Sequence, residues 1–294
     1  MLDITTLFCS VDDFWKEFEC EWKKILLGQG KNKPKRLPSL SKSEVMTIIV
    51  LFHSIGYRNF KTFYNHHVIK YLRSFFPGIP SYNRFLELKK EVLFPMHCYL
   101  IKKTGSVTGI SFVDSTPLAV CHPKRAYQHR VFRGVAKKGK SSTGWFFGFK
   151  LHLISNDKGE ILSFVLTPGN VDDRAPVPTL VKQSKLMGKL VGDRGYISSK
   201  LAESLFSRGV QLITKTRKNM KKCLMTLKDK LLLRKRGIIE TIIDQLKNIS
   251  QIEHSRHRSP INFLVNLIGG LIAYSHRSKK PSLQFENQEK MLVC

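Results

Sequence analysis

The spacing of hydrophobic residues changes near residue 106, and this change constrains the fold of the chain more than any other feature of its sequence. Before this point apolar side chains recur at the spacing of helices, and after it several runs approach the two-residue period of strands. A helical region followed by strands that alternate with helices predicts a mixed α/β protein. We expect a helical region over 1–104, a mixed-sheet domain over 105–278 and a loose polar tail over 279–294.

The N-terminal region should begin with an amphipathic helix. Its apolar face is formed by Val11, Phe14, Trp15, Phe18, Trp22, Ile25 and Leu26. Such a face packs against its own domain or, alternatively, against a partner helix in a dimer.

Shorter helices should follow this first helix. Ser41 and Glu44 form a capping-box pattern that predicts a helix to about Ser54, a second helix fits 59–72, and Ser81 caps a third. The third helix is expected to expose Arg84, Lys89 and Lys90. Several short helices with scattered bases resemble a helix-turn-helix DNA-binding unit.

The second region is predicted to be a mixed sheet flanked by helices. The predicted strands are Ile110–Asp114, Phe146–Ile154, Glu160–Leu166, Lys189–Gly192 and Val210–Lys215, with a hairpin turn at Asn156–Gly159. The predicted helices are Asp173–Leu186, Ser198–Ser207 and a long one from Lys228 to Lys247. This order is compatible with a ribonuclease-H-like fold, although order alone does not select that fold.

The charge of the chain indicates a polyanionic partner. Lys and Arg number 50 against 22 acids, which gives a net charge of +28. Nucleic acid is the first interpretation and an anionic membrane surface the second. The longest apolar stretch, Phe263–Tyr274, is too short to span a bilayer. The N-terminus shows no signal-peptide pattern, so a cytosolic protein is expected.

Cysteine and histidine spacing argues against a disulfide framework and against zinc. The six cysteines are scattered without a CxxC pair. His122, His129 and His152 have no Cys or second His at ligand spacing.

Two segments carry most of the positive charge. No acid occurs from Ser115 through Asn156, and 126–143 lacks periodicity, so we expect a loop that lies along DNA beside the active site. Trp145 follows that loop and either joins the sheet core or stacks on a base. The segment from Lys215 to Arg236 has ten bases and one acid, which is typical of a phosphate track.

Three acids lie where a two-metal site would need them. Asp114 and Asp193 each end a strand-like run, and Glu240 lies in a helix-like run among isoleucines. Each has an ordinary alternative, as a turn residue, an ion-pair partner or a solvated helix acid. Two hard cations need carboxylates that converge from separate elements, and these three acids together meet that need. Asp172 and Asp173 are rival ligands, but they are better explained as acids at the start of a helix.

The chain resembles the DDE transposases of bacterial insertion sequences, most closely the insertion-sequence 982 group. The motifs that carry the resemblance are Pro80–Phe85, Phe112–Pro117, Leu166–Asn170, Gly192–Tyr196 and the Glu240 helix. Related transposases have Tyr, Arg, Glu and Lys at a fixed spacing in the last of these motifs. Arg236, Glu240 and Lys247 match this spacing, whereas Leu233 stands in the place of the Tyr.

The resemblance implies a ribonuclease-H-like core in which Asp114, Asp193 and Glu240 are the catalytic acids and hold two Mg²⁺ ions, for which Mn²⁺ can substitute. It also implies cutting at the terminal inverted repeats of the element and joining of 3′-hydroxyl ends to target DNA, with a dimer in the synapse. The residues expected to contact DNA are Arg236, Lys247, Arg194, Lys124, Arg125, Arg130, Arg133, Lys137, Lys138, Lys215, Arg217 and Lys218. The alternatives are a sequence-specific repressor with a decayed nuclease core and a basic RNA-binding or structural protein.

Overall fold

Residues 3–28, 39–142, 144–216, 225–254 and 257–283 are the part of the chain that the computed structural model describes. The chain forms two units, and the second interrupts the first in sequence. The first unit comprises Met1–Lys103, Leu246–Ile252 and His257–Arg277, and the second comprises Thr104–Gln245, Glu253–Arg256 and Ser278–Cys294.

The regular elements are numbered along the chain. The helices are α1 (Ile4–Gly28), α2 (Lys42–Ile55), α3 (Phe60–Phe63), α4 (Ile69–Tyr71), α5 (Tyr82–Glu91), α6 (Leu93–Lys102), α7 (Val177–Ser184), α8 (Ser199–Phe206), α9 (Leu227–Lys235), α10 (Gly237–Asp244) and α11 (Pro260–Ser275). The strands are β1 (Ile110–Cys121), β2 (Lys137–Ser141), β3 (Gly144–Asn156), β4 (Ile161–Pro168), β5 (Gly188–Val191) and β6 (Val210–Ile213). π-Helical turns, Tyr64–Val68 and Gln245–Ile249, follow α3 and α10.

Helix α2 lies at the centre of the first unit, in contact with α1, α5 and α11. The predicted capping box at its start is confirmed, because Ser41 accepts from the Glu44 backbone and the Glu44 carboxylate accepts from the Ser41 backbone. Gly56, at φ +83°, ends the helix in the left-handed conformation that suits glycine. Local sequence signals therefore set both ends of this helix.

Lys89 was expected on an exposed face of α5, and this prediction is wrong. The side chain is 4% exposed, and its Nζ lies 4.4 Å from the centroid of the Phe60 ring. Lys89 follows the buried Phe85 by four residues, so it lies on the apolar side of the helix. Burial lowers the pKa of Lys89 to about 8. Arg84 and Lys90 are exposed, as predicted.

Helix α11 belongs to the first unit, although we had placed its residues in the sheet domain. Every residue of this helix from Val265 to Tyr274 is buried. A Cβ added at Gly269 would lie 3.0 Å from His53 and from Ile49, so the absence of a side chain there permits close packing on α2. The cause of the difference is this long-range contact, which sequence order does not reveal.

His53 should make the first unit sensitive to acid. Burial lowers the pKa of His53 to about 3, although the Ser250 carbonyl, which accepts from Nδ1 at 2.5 Å, opposes this shift. Because its pKa is lowered in the folded state, the neutral His53 ring contributes to stability above its ordinary pKa of about 6.5. This contribution is lost as the pH falls toward 3. Below pH 6.5, we expect the free energy of unfolding of the wild type to fall by about 1.4 kcal/mol per pH unit. His53→Gln should not show this loss. Urea unfolding of both proteins between pH 7 and pH 5 measures the difference, and parallel pH profiles would contradict it.

The second unit is built on one mixed sheet, as predicted. Strands β4, β3, β1, β5 and β6 lie side by side in that order, and β2 pairs with the first half of β3. The β1–β3, β3–β4 and β2–β3 pairs are antiparallel, whereas β1–β5 and β5–β6 are parallel. Helices α7 and α8 cover one face, where they bury Val113 of β1 in a common core.

Strand β2 replaces part of the loop that we predicted over 126–143. Its sequence has no apolar alternation, and it is a strand because its residues pair with Gly144–Gly148 of β3. Gly139 permits the close approach of β2 to the turn after β4, since a Cβ at that position would lie 2.1 Å from the Gly169 carbonyl oxygen.

Two helix predictions are corrected in the second unit. Helix α7 begins at Val177 instead of Asp173, because Asp172 and Asp173 pair with neighbouring bases and do not cap the helix. The long helix expected from Lys228 to Lys247 is interrupted at Arg236, which separates α9 from α10.

Candidate active site

The parallel pairing of β1 and β5 brings the first two acids together. Phe112 is the Cα partner of Val191, the last residue of β5. Asp114 lies two residues after Phe112, and Asp193 lies two residues after Val191. Because parallel strands run in the same direction, both acids lie beyond the same end of the β1–β5 pairing. Asp114 does not end its strand as predicted, since β1 continues against β3 to Cys121, but it lies where the pairing with β5 has ended.

Helix α10 supplies the third acid. Ile239 and Ile242 are buried, and α10 contacts β1. Val113 belongs to the core under α7 and α8, so Asp114, the next residue in the strand, projects from the opposite face. The Glu240 side chain is 57% exposed. Isoleucines thus fix the helix on the protein while the carboxylate stays accessible.

Arg236 lies between two of the acids. Its Nη2 donates a hydrogen bond to Oε1 of Glu240, and its Nη1 is 3.8 Å from Oδ2 of Asp114. The interruption between α9 and α10 falls at this residue. One guanidinium therefore partly neutralises carboxylates from a strand and from a helix.

The electrostatics of Asp114 show that the three acids share one field. Burial, with smaller contributions from the charges of Asp193 and Glu240, raises the pKa of Asp114 to about 6. The Ser115 amide, which donates to Asp114 Oδ1 at 2.8 Å, and the Arg236 charge act in the opposite direction. Acids that repel one another in this way form a site that favours cations.

The donor chemistry of this site fits Mg²⁺ or Mn²⁺, which prefer oxygen ligands. Within the described ranges, no group of three or more His, Cys, Asp or Glu side chains is arranged to hold one ion. Mg²⁺ does not require such a cage, because it is usually bound by one or two carboxylates together with water and substrate phosphates. Asp114, Asp193 and Glu240 can satisfy that requirement.

The rival acids are engaged with bases. Arg174 pairs with Asp172 through Nη2 at 2.6 Å, and Lys150 donates to Asp173 at 2.9 Å. His152, whose zinc interpretation we rejected, is buried, and its Nε2 lies 2.8 Å from Thr167 Oγ1. Burial lowers the pKa of His152 to about 4, so its ring is neutral at pH 7.

Residues 104–260 match the family model of the transposase DDE domain. The chain belongs to the DDE transposase family. No curated protein sequence matches this transposase significantly.

A solved transposase structure is similar to this transposase in fold. The piggyBac transposase synaptic complex with hairpin DNA matches with a TM-score of 0.50 and 10% identity, over 94% of this chain and 74% of that chain. The Mos1 strand transfer complex matches with a TM-score of 0.25 and 11% identity, over 90% of this chain and 88% of that chain. At 10% identity, the likeness to the piggyBac transposase shows the fold alone.

Tyr196, the last residue of the Gly192–Tyr196 motif, is a neighbour of the transposase site. Burial, followed by the charges of Asp114, Asp173 and Asp193, raises the pKa of Tyr196 well above its ordinary value. The phenol therefore stays protonated beside the acids and can donate a hydrogen bond. Its position in a Gly-bounded turn directly after Asp193 was the one available signal.

Most of the predicted DNA-contacting bases of the second unit are exposed. These are Lys124, Arg125, Arg130, Arg133, Lys137, Lys138, Arg194 and Lys215. Arg217 and Lys218 lie outside the described residues. Lys247 falls in the 246–252 segment of the first unit. Leu233, at the position of the related Tyr, is buried.

Within the described ranges, no helix is both long and apolar enough to cross a bilayer.

Proposed function

We propose that this transposase belongs to a bacterial insertion sequence, most like the insertion-sequence 982 group, and acts on the DNA of its own element. It cuts phosphodiester bonds at the terminal inverted repeats and joins the 3′-hydroxyl ends to target DNA. The observation that carries the proposal is the β1–β5 register, which sets Asp193 beside Asp114 within the field of Glu240. We also propose a ribonuclease-H-like core, which the order and directions of the five paired strands support.

The acids would hold two divalent ions, Mg²⁺ or Mn²⁺. When bound, such ions activate an attacking oxygen and stabilise the leaving oxygen of a phosphodiester. Asp114, Asp193 and Glu240 supply the carboxylate ligands. Arg236 pairs with Glu240 and lies near Asp114, and it would turn from these carboxylates to a DNA phosphate, with Lys247 as a second phosphate contact. Tyr196 would donate a hydrogen bond within the site.

DNA is the proposed partner throughout the reaction. The exposed bases of the second unit would bind the phosphate backbone, and the helices of the first unit would recognise the terminal repeats. Two DNA ends must be held together for joining, so we propose a dimer in the synaptic complex. This work would take place in the bacterial cytoplasm, at the nucleoid.

Cleavage of labelled DNA that carries the element's own ends tests the proposed function. We expect nicks at the ends with Mg²⁺ or Mn²⁺, no nicks with a chelator, and no nicks in DNA with shuffled ends. End-specific binding without cutting would favour a repressor with a decayed nuclease. Absence of both binding and cutting would contradict DNA as the partner.

Phosphate contacts on the β2–β3 hairpin should appear as a salt effect. We expect Lys137→Ala to weaken binding to all DNA sequences alike and to reduce the slope of log affinity against log salt concentration by about 1. Lys158→Ala is the matched control, because Lys158 is an exposed lysine beyond the other end of β3. Fluorescence anisotropy from low to high salt measures both slopes. An equal change in the two variants would contradict a specific contact.

A further inference from the structure

Trp145 is an exposed aromatic residue with no place in the sheet core. It lies at the start of β3 and is 65% exposed, whereas the next residues, Phe146 and Phe147, are buried. Lys140 is its Cα partner on β2, and Lys140 Nζ lies 6.0 Å from the centroid of the indole ring. The ring is therefore presented to solvent beside a cation on two paired strands.

The indole ring forms one wall of an open cleft. The other lining residues are Pro123, Lys124 and Lys138. Pro123 and Lys124 come from the 3₁₀ turn Pro123–Gln128, and Lys138 comes from β2. No described carboxylate forms an ion pair with Lys124, Lys138 or Lys140, and no acid occurs in the sequence from Ser115 to Asn156. The cleft thus combines a flat apolar surface with unneutralised positive charge.

This combination fits a nucleotide more closely than it fits other anions. The lysines complement phosphates, and the indole offers a surface on which a base can stack. Bases inside a duplex already stack on their neighbours and are not available to a side chain. The partner must therefore present an unpaired base next to phosphates, as single-stranded DNA does.

We propose that Trp145 is a stacking site for an unpaired base of the DNA bound by this transposase. The inference rests on the proposed function for the identity of the strand. Leu153, the β3 partner of Asp114, lies eight residues after Trp145. At about 3.3 Å per residue, this separation places Trp145 roughly 26 Å along β3 from the position that pairs with Asp114.

Binding of the full chain to single-stranded DNA and to its duplex tests the stacking site. We expect Trp145→Ala to weaken binding of a fluorescein-labelled 20-nucleotide single strand by about 5- to 100-fold, and to leave duplex binding nearly unchanged. Trp145→Phe should recover most of the loss because it retains an aromatic face. Phe206→Ala is the matched control, since Phe206, on α8 of the same unit, is an aromatic residue at least as exposed as Trp145.

A second probe reports the contact itself. A 2-aminopurine base in the single strand should be quenched on binding to the wild type and not on binding to Trp145→Ala. Equal single-strand affinity for the wild type and Trp145→Ala, or loss with both duplex and single strand, would overturn the stacking site. Tighter binding of the same sequence as RNA, with the same dependence on Trp145, would overturn the assignment to DNA.

The failure of this inference can be distinguished from failure of the proposed function. Cleavage at the element's ends together with Trp145-independent binding of single strands would remove the stacking site alone. Trp145-dependent binding of single-stranded DNA by a protein that cuts no ends would support the stacking site and contradict the transposition reaction.

Discussion

Replacement of Asp193 by asparagine should lower the rate of DNA cleavage by at least about 10²–10³-fold, the loss that follows from removing one electrostatic stabiliser of a transition state. Asparagine has nearly the same shape but lacks the charge that a divalent ion requires. The turn after β5 should persist, since an amide oxygen can still accept from the Gly195 N–H, now at 2.7 Å from Asp193 Oδ1. DNA binding should be retained because the change removes negative charge from the site.

Single-turnover cleavage with Mg²⁺, together with an anisotropy titration, separates the two effects. Asp114→Asn should behave in the same way because it lies beside Asp193 in the β1–β5 register. Asp172→Asn is the matched control, since this acid is exposed and paired with Arg174. Cleavage by Asp193→Asn at the wild-type rate would show that the site is assigned to the wrong residues.

Replacement of Ile239 by alanine should lower the free energy of unfolding by about 2–5 kcal/mol, the range for truncating a large aliphatic side chain in a core. Ile239 is fully buried and directly precedes Glu240. The cavity would loosen α10 against β1, so cleavage should fall as well, although no catalytic group has changed.

Urea unfolding monitored by circular dichroism measures this loss, and the cleavage assay measures its effect on the site. Thr241→Ala changes an exposed residue of the same helix and should shift stability by no more than about 0.5 kcal/mol. Equal losses in the two variants would mean that Ile239 does not anchor the helix. Lost stability with normal cleavage would mean that the position of Glu240 does not depend on it.

Local signals in the sequence predicted much of the fold. The capping pattern at Ser41 marked a helix start because the side chain and backbone groups involved lie within one turn. The alternation of Leu151 and Leu153 with Lys150 and His152 marked β3, because successive side chains of a strand point to opposite faces. The acids at 114 and 193 could be singled out because each follows a short apolar run.

Contacts between distant segments could not be predicted in this way. Strand β2 exists only through its pairing with β3, and Lys89 is buried by rings from another helix. Arg236 was expected to contact phosphate, but its pairing with Asp114 depends on how α10 lies against β1. The identification of Asp114, Asp193 and Glu240 as metal ligands stays a prediction.

The discontinuous first unit has a consequence for synthesis on the ribosome. Helix α11, which packs against α2 and α6, is made only after the whole sheet has been translated. At a translation rate of about 5–20 residues per second, the apolar surfaces of α2 and α6 stay uncovered for roughly ten seconds or more before α11 is synthesised. A truncated product that ends before α11 would keep these surfaces exposed and would be a substrate for chaperones and proteases. Premature termination before α11 is therefore expected to yield an N-terminal fragment that is less stable than the intact protein.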